Sequence, residues 1–286
     1  MPSTSTRLNS GVSVFGKKSA LVTGASAGLG EEFALQLADL GVTHLTLTAR
    51  RADRLEELGK CLIALHSSLR VDTIPADLAD AAGVARLIAD LEQRGFSPDI
   101  LINNAGLGDL GTFETSDPAK IESMLAVNIA ALTRLTRWAL PGMLARRAGW
   151  ICNVGSTAGL IPLPTFAVYA ATKAYVNSFS EALRIEVHGS GVRVLALCPG
   201  PVETEFGQVA SRENSKRKFA PPAFLCVSKT DVVRETLTAL ARGRGRLIPG
   251  LMVRLPMLLA ESTPRWILRL VFNLASGDFR REREAG

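Results

Sequence analysis

Ser19-Ala20-Leu21-Val22-Thr23-Gly24-Ala25-Ser26-Ala27-Gly28-Leu29-Gly30 is the stretch that decides the fold. Its first five residues are a run of strand length, and the glycines that follow open a helical pattern over 28–40. The glycine spacing is GxxxGxG, one residue wider at the start than GxGxxG. Glycines in such a turn let the backbone approach a pyrophosphate. The helix N-terminus adds unpaired N–H groups and a positive dipole end. In this strand–turn–helix context the stretch reads as a nucleotide loop rather than a plain turn.

Outward from that loop, strand-like runs at 45–49, 71–75, 100–103, 150–154, 192–198 and 246–249 alternate with helical patterns. The helical patterns cover 53–65, 81–93, 118–146, 167–188 and 230–241. This alternation predicts an α/β fold with a doubly wound parallel sheet, in which ligands sit beyond the carboxyl ends of the strands. A chain of 286 residues with 47% hydrophobic and 21% charged residues fits one large domain with ample core. No internal repeat and no dividing linker stands out. The expected organisation is a flexible arm over 1–16, one catalytic domain over 17–250 and an apolar extension over 251–286.

The net charge of +6 favours anionic ligands in general, and no nucleic-acid motif accompanies it. The four cysteines and three histidines are scattered without ligand spacing, so no metal site and no histidine triad is expected. Cys152 and Cys198 fall in apolar runs and read as buried, reduced thiols, which fits a cytoplasmic setting. The polar N-terminus lacks the apolar core of a signal peptide, and no apolar run reaches the ~18 residues of a membrane span.

The second strand ends in Ala49-Arg50-Arg51, where an NAD site would carry an acidic residue for the ribose hydroxyl. A guanidinium at Arg50 suits a 2′-phosphate, with Ser26 adding a hydroxyl contact. The other reading is a solvated start to the next helix. The residues favour NADP(H) over NAD(H).

Tyr169-Ala-Ala-Thr-Lys173 places a phenol and an ammonium four residues apart, on one face of a helix. A neighbouring cation favours the phenolate and brings a phenol closer to working pH. Ser156 lies upstream.

Together these residues resemble the classical short-chain dehydrogenase/reductase family. The resemblance rests on an ordered set: the loop 23–30; Asp77 in Pro75-Ala-Asp-Leu78; Asn103-Asn104-Ala105-Gly106; Asn128 in Val127-Asn128-Ile129; Gly155-Ser156 with Tyr169 and Lys173; and Pro199-Gly200-Pro-Val202-Glu-Thr204. It covers roughly 17–250. It implies a Rossmann-type three-layer fold with a mostly parallel seven-stranded sheet. It also implies a catalytic tetrad. Tyr169 exchanges a proton with the substrate oxygen. Lys173 lowers the tyrosine pKa and bonds the nicotinamide ribose. Ser156 orients the substrate, and Asn128 bends its helix around a water that links Lys173 to solvent. The cofactor contacts implied are Gly24, Ser26, Gly28, Leu29, Gly30, Arg50, Asp77, Leu78, Asn104, Ala105, Gly106, Tyr169, Lys173, Pro199, Gly200, Val202 and Thr204. Homodimers or homotetramers are usual for the family.

Substrate choice is expected to lie with 203–228 and with the tail. The basic run 212–218 reads either as a solvated loop or as a contact for a carrier phosphate. In the tail, Thr263-Pro264 is a helix start, and Arg265, Arg269 and Asn273 form a narrow polar stripe on an otherwise apolar helix. Such a helix must bury most of its surface: over the substrate cleft, against a subunit, or at a membrane. Each favours a lipophilic carbonyl or alcohol substrate. The alternatives are a 3-ketoacyl thioester reductase and a non-catalytic nucleotide-binding scaffold.

Overall fold

A computed structural model of the chain describes residues 13–212 and 221–275. Seven strands form one sheet: β1 Ser19–Thr23, β2 His44–Ala49, β3 Arg70–Pro75, β4 Ile100–Asn103, β5 Gly149–Val154, β6 Val192–Leu197 and β7 Arg246–Leu247. Their order is β3-β2-β1-β4-β5-β6-β7, and every pairing between them is parallel. Parallel strands need crossovers, and here helices supply them: α1 Gly28–Asp39, α2 Ala52–Leu65, α3 Ala81–Gln93, α4 Pro118–Leu125, α5 Leu132–Ala145, α6 Ala167–Glu186, α7 Phe206–Ala210 and α8 Lys229–Ala241. Two further helices, α9 Leu251–Ser262 and α10 Arg265–Ala275, follow the last strand.

The sheet is buried on both faces, so its central strands carry continuous apolar runs rather than alternation. Leu21, Leu101 and Ile151 pack with α3, α5 and α6 on one face. Val22, Ile102 and Leu195 pack with α1 and α8 on the other. β1 and β4 lie side by side although the chain leaves β1 in one direction and β4 in the other. That reversal opens a crevice at their carboxyl ends.

Two sequence expectations change here. Within the arm expected over 1–16, the described residues from Ser13 onward are packed on the domain through Phe15. Ser13–Phe15 form a 3-10 turn, and Phe15 is fully buried with its ring edge-on to Trp150 at 5.5 Å. A single aromatic can anchor a segment that composition reads as loose, because its buried area outweighs the polar neighbours. Residues 1–12 lie outside the described range. The helix expected over 118–146 is broken by a π-turn at Ala126–Ala131. Its cause is tertiary, as the side chain of Asn128 shows below.

Candidate active site

The cleft beyond the strand ends has a volume of about 520 Å³. Every residue expected in the catalytic tetrad or at the cofactor lines it except Gly30 and Asn128, which lie just behind its wall.

At one end the glycine loop crosses from β1 to α1. Gly24 and Gly28 have φ of +64° and +61°, a region L side chains rarely adopt. A Cβ at Gly30 would stand 2.2 Å from the Gly24 carbonyl oxygen, so only glycine lets the helix approach the loop. Asn104 fixes that loop from β4: its amide nitrogen donates to the carbonyls of Thr23 and Gly24 at 2.9 and 3.2 Å. At the end of β2, Arg51 donates to the Ser26 hydroxyl and carbonyl at 3.3 and 3.2 Å and pairs with Glu205 at 3.1 Å. Arg50 lines the same end and is exposed, with no side-chain partner among the described residues. Thr204 packs over Gly28, so the chain after β6 lies across the glycine loop.

At the other end stand the residues of α6. Tyr169 and Lys173 share its inner face and are both buried. The Ser156 hydroxyl stands close enough to the Tyr169 phenol to pull its pKa downward, donates to the Pro199 carbonyl at 3.5 Å and takes an N–H from Ala158 at 3.0 Å. One turn beyond Lys173, Asn177 donates to the Ser156 carbonyl at 3.2 Å. A Cβ at Gly155 would collide with the Asn177 Oδ1. Asn177 was not singled out from the sequence, yet it continues the 169–173 spacing by four more residues. Lys173 Nζ donates to the Val154 carbonyl at 2.7 Å and lies 5.8 Å from the centre of the Tyr169 ring.

Burial governs both titrating groups. It pushes the phenol of Tyr169 up to about 12, against a smaller pull downward from the Ser156 hydroxyl. It pushes the ammonium of Lys173 down to about 8. The sequence expectation was that Lys173 lowers the phenol. Here the ammonium head turns to Val154 instead, and desolvation of the phenolate is the larger effect.

Asn128 is fully buried in the π-turn. Its Oδ1 accepts the Leu107 N–H at 2.8 Å, and its Nδ2 donates to the Leu107 carbonyl and the Thr172 hydroxyl, both at 2.9 Å. The amide thus satisfies the backbone of Leu107 outside the helix and ties the π-turn to α6. π-Turns of this kind mark functional sites often. A Cβ at Gly106 would stand 3.2 Å from Lys173 Nζ and 3.5 Å from Asn128 Oδ1, so glycine keeps open the space between them.

Around Tyr169 the wall is apolar. Phe166 and Phe206 lie 5.6 and 5.3 Å from its ring, and Ile161, Leu163, Val209 and Met257 continue the lining. Met257 comes from α9, within the extension after residue 250. Its neighbour on the same face, Val253, is buried against Ala196, Cys198 and Ile248. The apolar run 251–260, read from the sequence without an assigned element, is helical here. Here Pro256 lies inside α9.

Arg212, expected in a solvated or phosphate-binding run, is neither. Its guanidinium grips the buried Asp109 at 3.0 and 2.6 Å and also bonds Thr115 and Ser116. Burial pushes the Asp109 carboxyl up, but Arg212 and Lys120 outweigh it and hold it below the ordinary carboxylate range. The rest of that run, 213–218, lies outside the described residues. Bridges between Leu110 and Ser211 and between Val202 and Val227 fasten the chain on either side.

The residues fit a phosphorylated dinucleotide: a glycine turn with left-handed φ, a helix N-terminus facing the cleft and an unpaired guanidinium at the β2 end. Among the described residues no cluster suited to a metal ion occurs.

Comparison with known proteins agrees with this geometry. The family described as short chain dehydrogenase matches residues 18–215. The NADP-dependent 3-hydroxy acid dehydrogenase YdfG of Escherichia coli O157:H7 is 41% identical over 193 residues, covering 66% of this chain and 75% of the relative. A short-chain dehydrogenase from Sphingobium yanoikuyae, solved with NADPH, superposes with a TM-score of 0.75 at 29% identity, covering 88% of this chain and 95% of that one. A bulky-bulky ketone specific alcohol dehydrogenase from Comamonas testosteroni does so with a TM-score of 0.71 at 29% identity, covering 91% and 94%.

Proposed function

Because the chain belongs to the short-chain dehydrogenase family and is an oxidoreductase of it, we propose that it interconverts a carbonyl and a secondary alcohol on a lipophilic substrate, with NADP(H) preferred over NAD(H). The observation that carries the substrate reading is the position of Tyr169. Its phenol stands beside Ser156 yet its ring is flanked by Phe166 and Phe206.

NADP(H), when bound, supplies or accepts the hydride. Gly24, Gly28 and Gly30 would hold its pyrophosphate, Asp77 and Leu78 its adenine, and Arg50 with Ser26 its 2′-phosphate. Asn104, Ala105, Gly106, Pro199, Gly200, Val202 and Thr204 would line the remainder. The Ser156 hydroxyl donates to the substrate oxygen and orients it. Tyr169 gives that oxygen its proton in reduction and takes it back in oxidation. A phenol held up near 12 stays protonated until charge develops on the substrate oxygen, which suits a donor. Lys173, pushed down to about 8, sits where a proton is readily exchanged near neutrality. Asn128 holds Leu107 and the π-turn in place behind Lys173.

The preference for NADP(H) draws support from Arg50, from the lack of an acidic residue at the end of β2, and from NADP in the names of similar proteins. An apolar ketone fits better than a hydroxy acid. Among the described lining residues the cations are Arg50, Arg51 and Lys173, and Lys173 is committed to Val154. Neither arginine lies beside Tyr169 to take a substrate carboxylate. The deciding experiment follows nicotinamide absorbance with NADPH and a panel of bulky ketones, β-ketoacyl thioesters and short hydroxy acids. Tyr169→Phe should lower turnover of the accepted class by a factor of roughly 10³ while NADPH still binds. Turnover of hydroxy acids alone, or full activity in the phenylalanine variant, would refute the reading.

A further inference from the structure

Helices α9 and α10 carry apolar side chains outward that no described element covers. On α9, Leu251, Met252, Leu255, Leu258 and Leu259 are exposed on the side opposite Val253 and Met257. On α10, Trp266, Leu270 and Leu274 are 67%, 54% and 78% exposed and follow one another at spacing four, which makes a single stripe. A second stripe, Arg265, Arg269 and Asn273, runs alongside it. Trp266 stands where the apolar stripe meets the arginines, the place an amphipathic indole takes at a membrane interface.

Charge decides between the candidate occupants. Arg254, Arg265 and Arg269 are exposed, and their side chains have no hydrogen-bond or ion-pair partner among the described residues. The one carboxylate of the described part of both helices, Glu261, is already held by Arg246 at 2.6 and 3.0 Å. A second copy of this face would set guanidinium groups against guanidinium groups, because a two-fold interface pairs a surface with itself. Burying them without carboxylates is costly. An anionic bilayer surface meets both demands, offering phosphates to the arginines and the acyl boundary to the leucines.

We propose that α9 and α10 dock the enzyme on the surface of an anionic lipid bilayer. The helices lie on it rather than through it, since none among the described residues is long and apolar enough to cross. α9 faces the lipid on one side and supplies Met257 to the cleft on the other, so the docked surface backs onto the substrate end of the site.

The full chain is centrifuged with vesicles of phosphatidylcholine alone or mixed with phosphatidylglycerol, and its mass is measured without lipid. It should sediment with the mixed vesicles and be released by salt. Arg265→Glu with Arg269→Glu should weaken that binding by about tenfold or more. Leu270→Glu with Leu274→Glu should abolish it. NADPH binding and the melting temperature should be unchanged in both variants, which separates lost docking from lost fold. A wild-type chain that stays in the supernatant overturns the proposal. So does equal binding to uncharged vesicles. A lipid-independent dimer split by the leucine variants, without vesicle binding, would assign the face to a second copy instead. No arm reads turnover, so failure here leaves the oxidoreductase reading intact.

Discussion

Lys173 Nζ donates to the carbonyl oxygen of Val154 at 2.7 Å, tying the middle of α6 to the last residue of β5. This fixes an ammonium in a buried place and makes its charge conditional on pH. Its folded pKa, about 8, lies below the ordinary 10.5. Below pH 8 folded and unfolded chains both hold the proton. Between about 8 and 10.5 only the unfolded chain does, so stability rises with pH across that window. Lys173→Met lacks this dependence. The melting temperature of the wild type relative to that variant should therefore climb from pH 8 to 10. A flat difference would show that Lys173 keeps an ordinary pKa when folded.

The two arginines at the end of β2 should separate by function. Arg50→Ala should weaken NADPH binding by about ten- to a hundredfold, the size of one or two charge-assisted hydrogen bonds, and leave NADH nearly unchanged. Arg51→Ala also frees Ser26 and Glu205. It should weaken both nucleotides, with NADPH suffering more. Fluorescence titration of the four enzyme–nucleotide pairs checks this, and an equal loss of NADH in Arg50→Ala would remove the 2′-phosphate assignment.

Arg212 and Asp109 join the chain after α7 to the chain after β4, and the Asp109 side chain is only 4% exposed. Removing one partner of such a pair strands the other charge. Arg212→Ala should cost about 3 kcal/mol or somewhat less, as Lys120 at 3.2 Å still faces Asp109. Denaturant unfolding measures the loss, and KM for whichever substrate is turned over should rise more than kcat falls.

Gly106→Ala tests the space between Lys173 and Asn128. The added methyl would stand 3.2 Å from Nζ, tight enough to move the ammonium yet close to no described backbone atom nearer than the Asn104 oxygen at 3.9 Å. The protein should fold with a melting temperature within a few degrees of wild type, while kcat falls by roughly tenfold or more. An unchanged kcat would mean that Lys173 tolerates displacement.

Much of this was legible along the chain because the signals are local. Gly24, Gly28 and Gly30 announce themselves since no other residue fits their φ or their contacts. Tyr169 and Lys173 are neighbours by helix geometry alone. What sequence reading lost depends on distant partners. Residues 118–146 are helical in pattern throughout; a bend at Asn128 is implied only by the family resemblance, and the partners it reaches, Leu107 and Thr172, lie far along the chain. Arg212 sits in a charged run, and nothing nearby reveals that Asp109 receives it. Met257 follows a proline that locally argues against a helix, yet packing of Val253 against Cys198 and Ile248 holds that helix in place.

The bridges at Ser211 and Val227 fasten the chain independently of whatever lies between them. Ser156, Tyr169 and Lys173 follow β5 or lie on α6 and share no segment with that interval. With both fasteners and Arg212 kept, an exchange within the interval should therefore leave the cleft lining undisturbed, since none of its described residues lines the cleft. In engineering terms the interval is a cartridge that can be replaced without touching the residues that line the cleft.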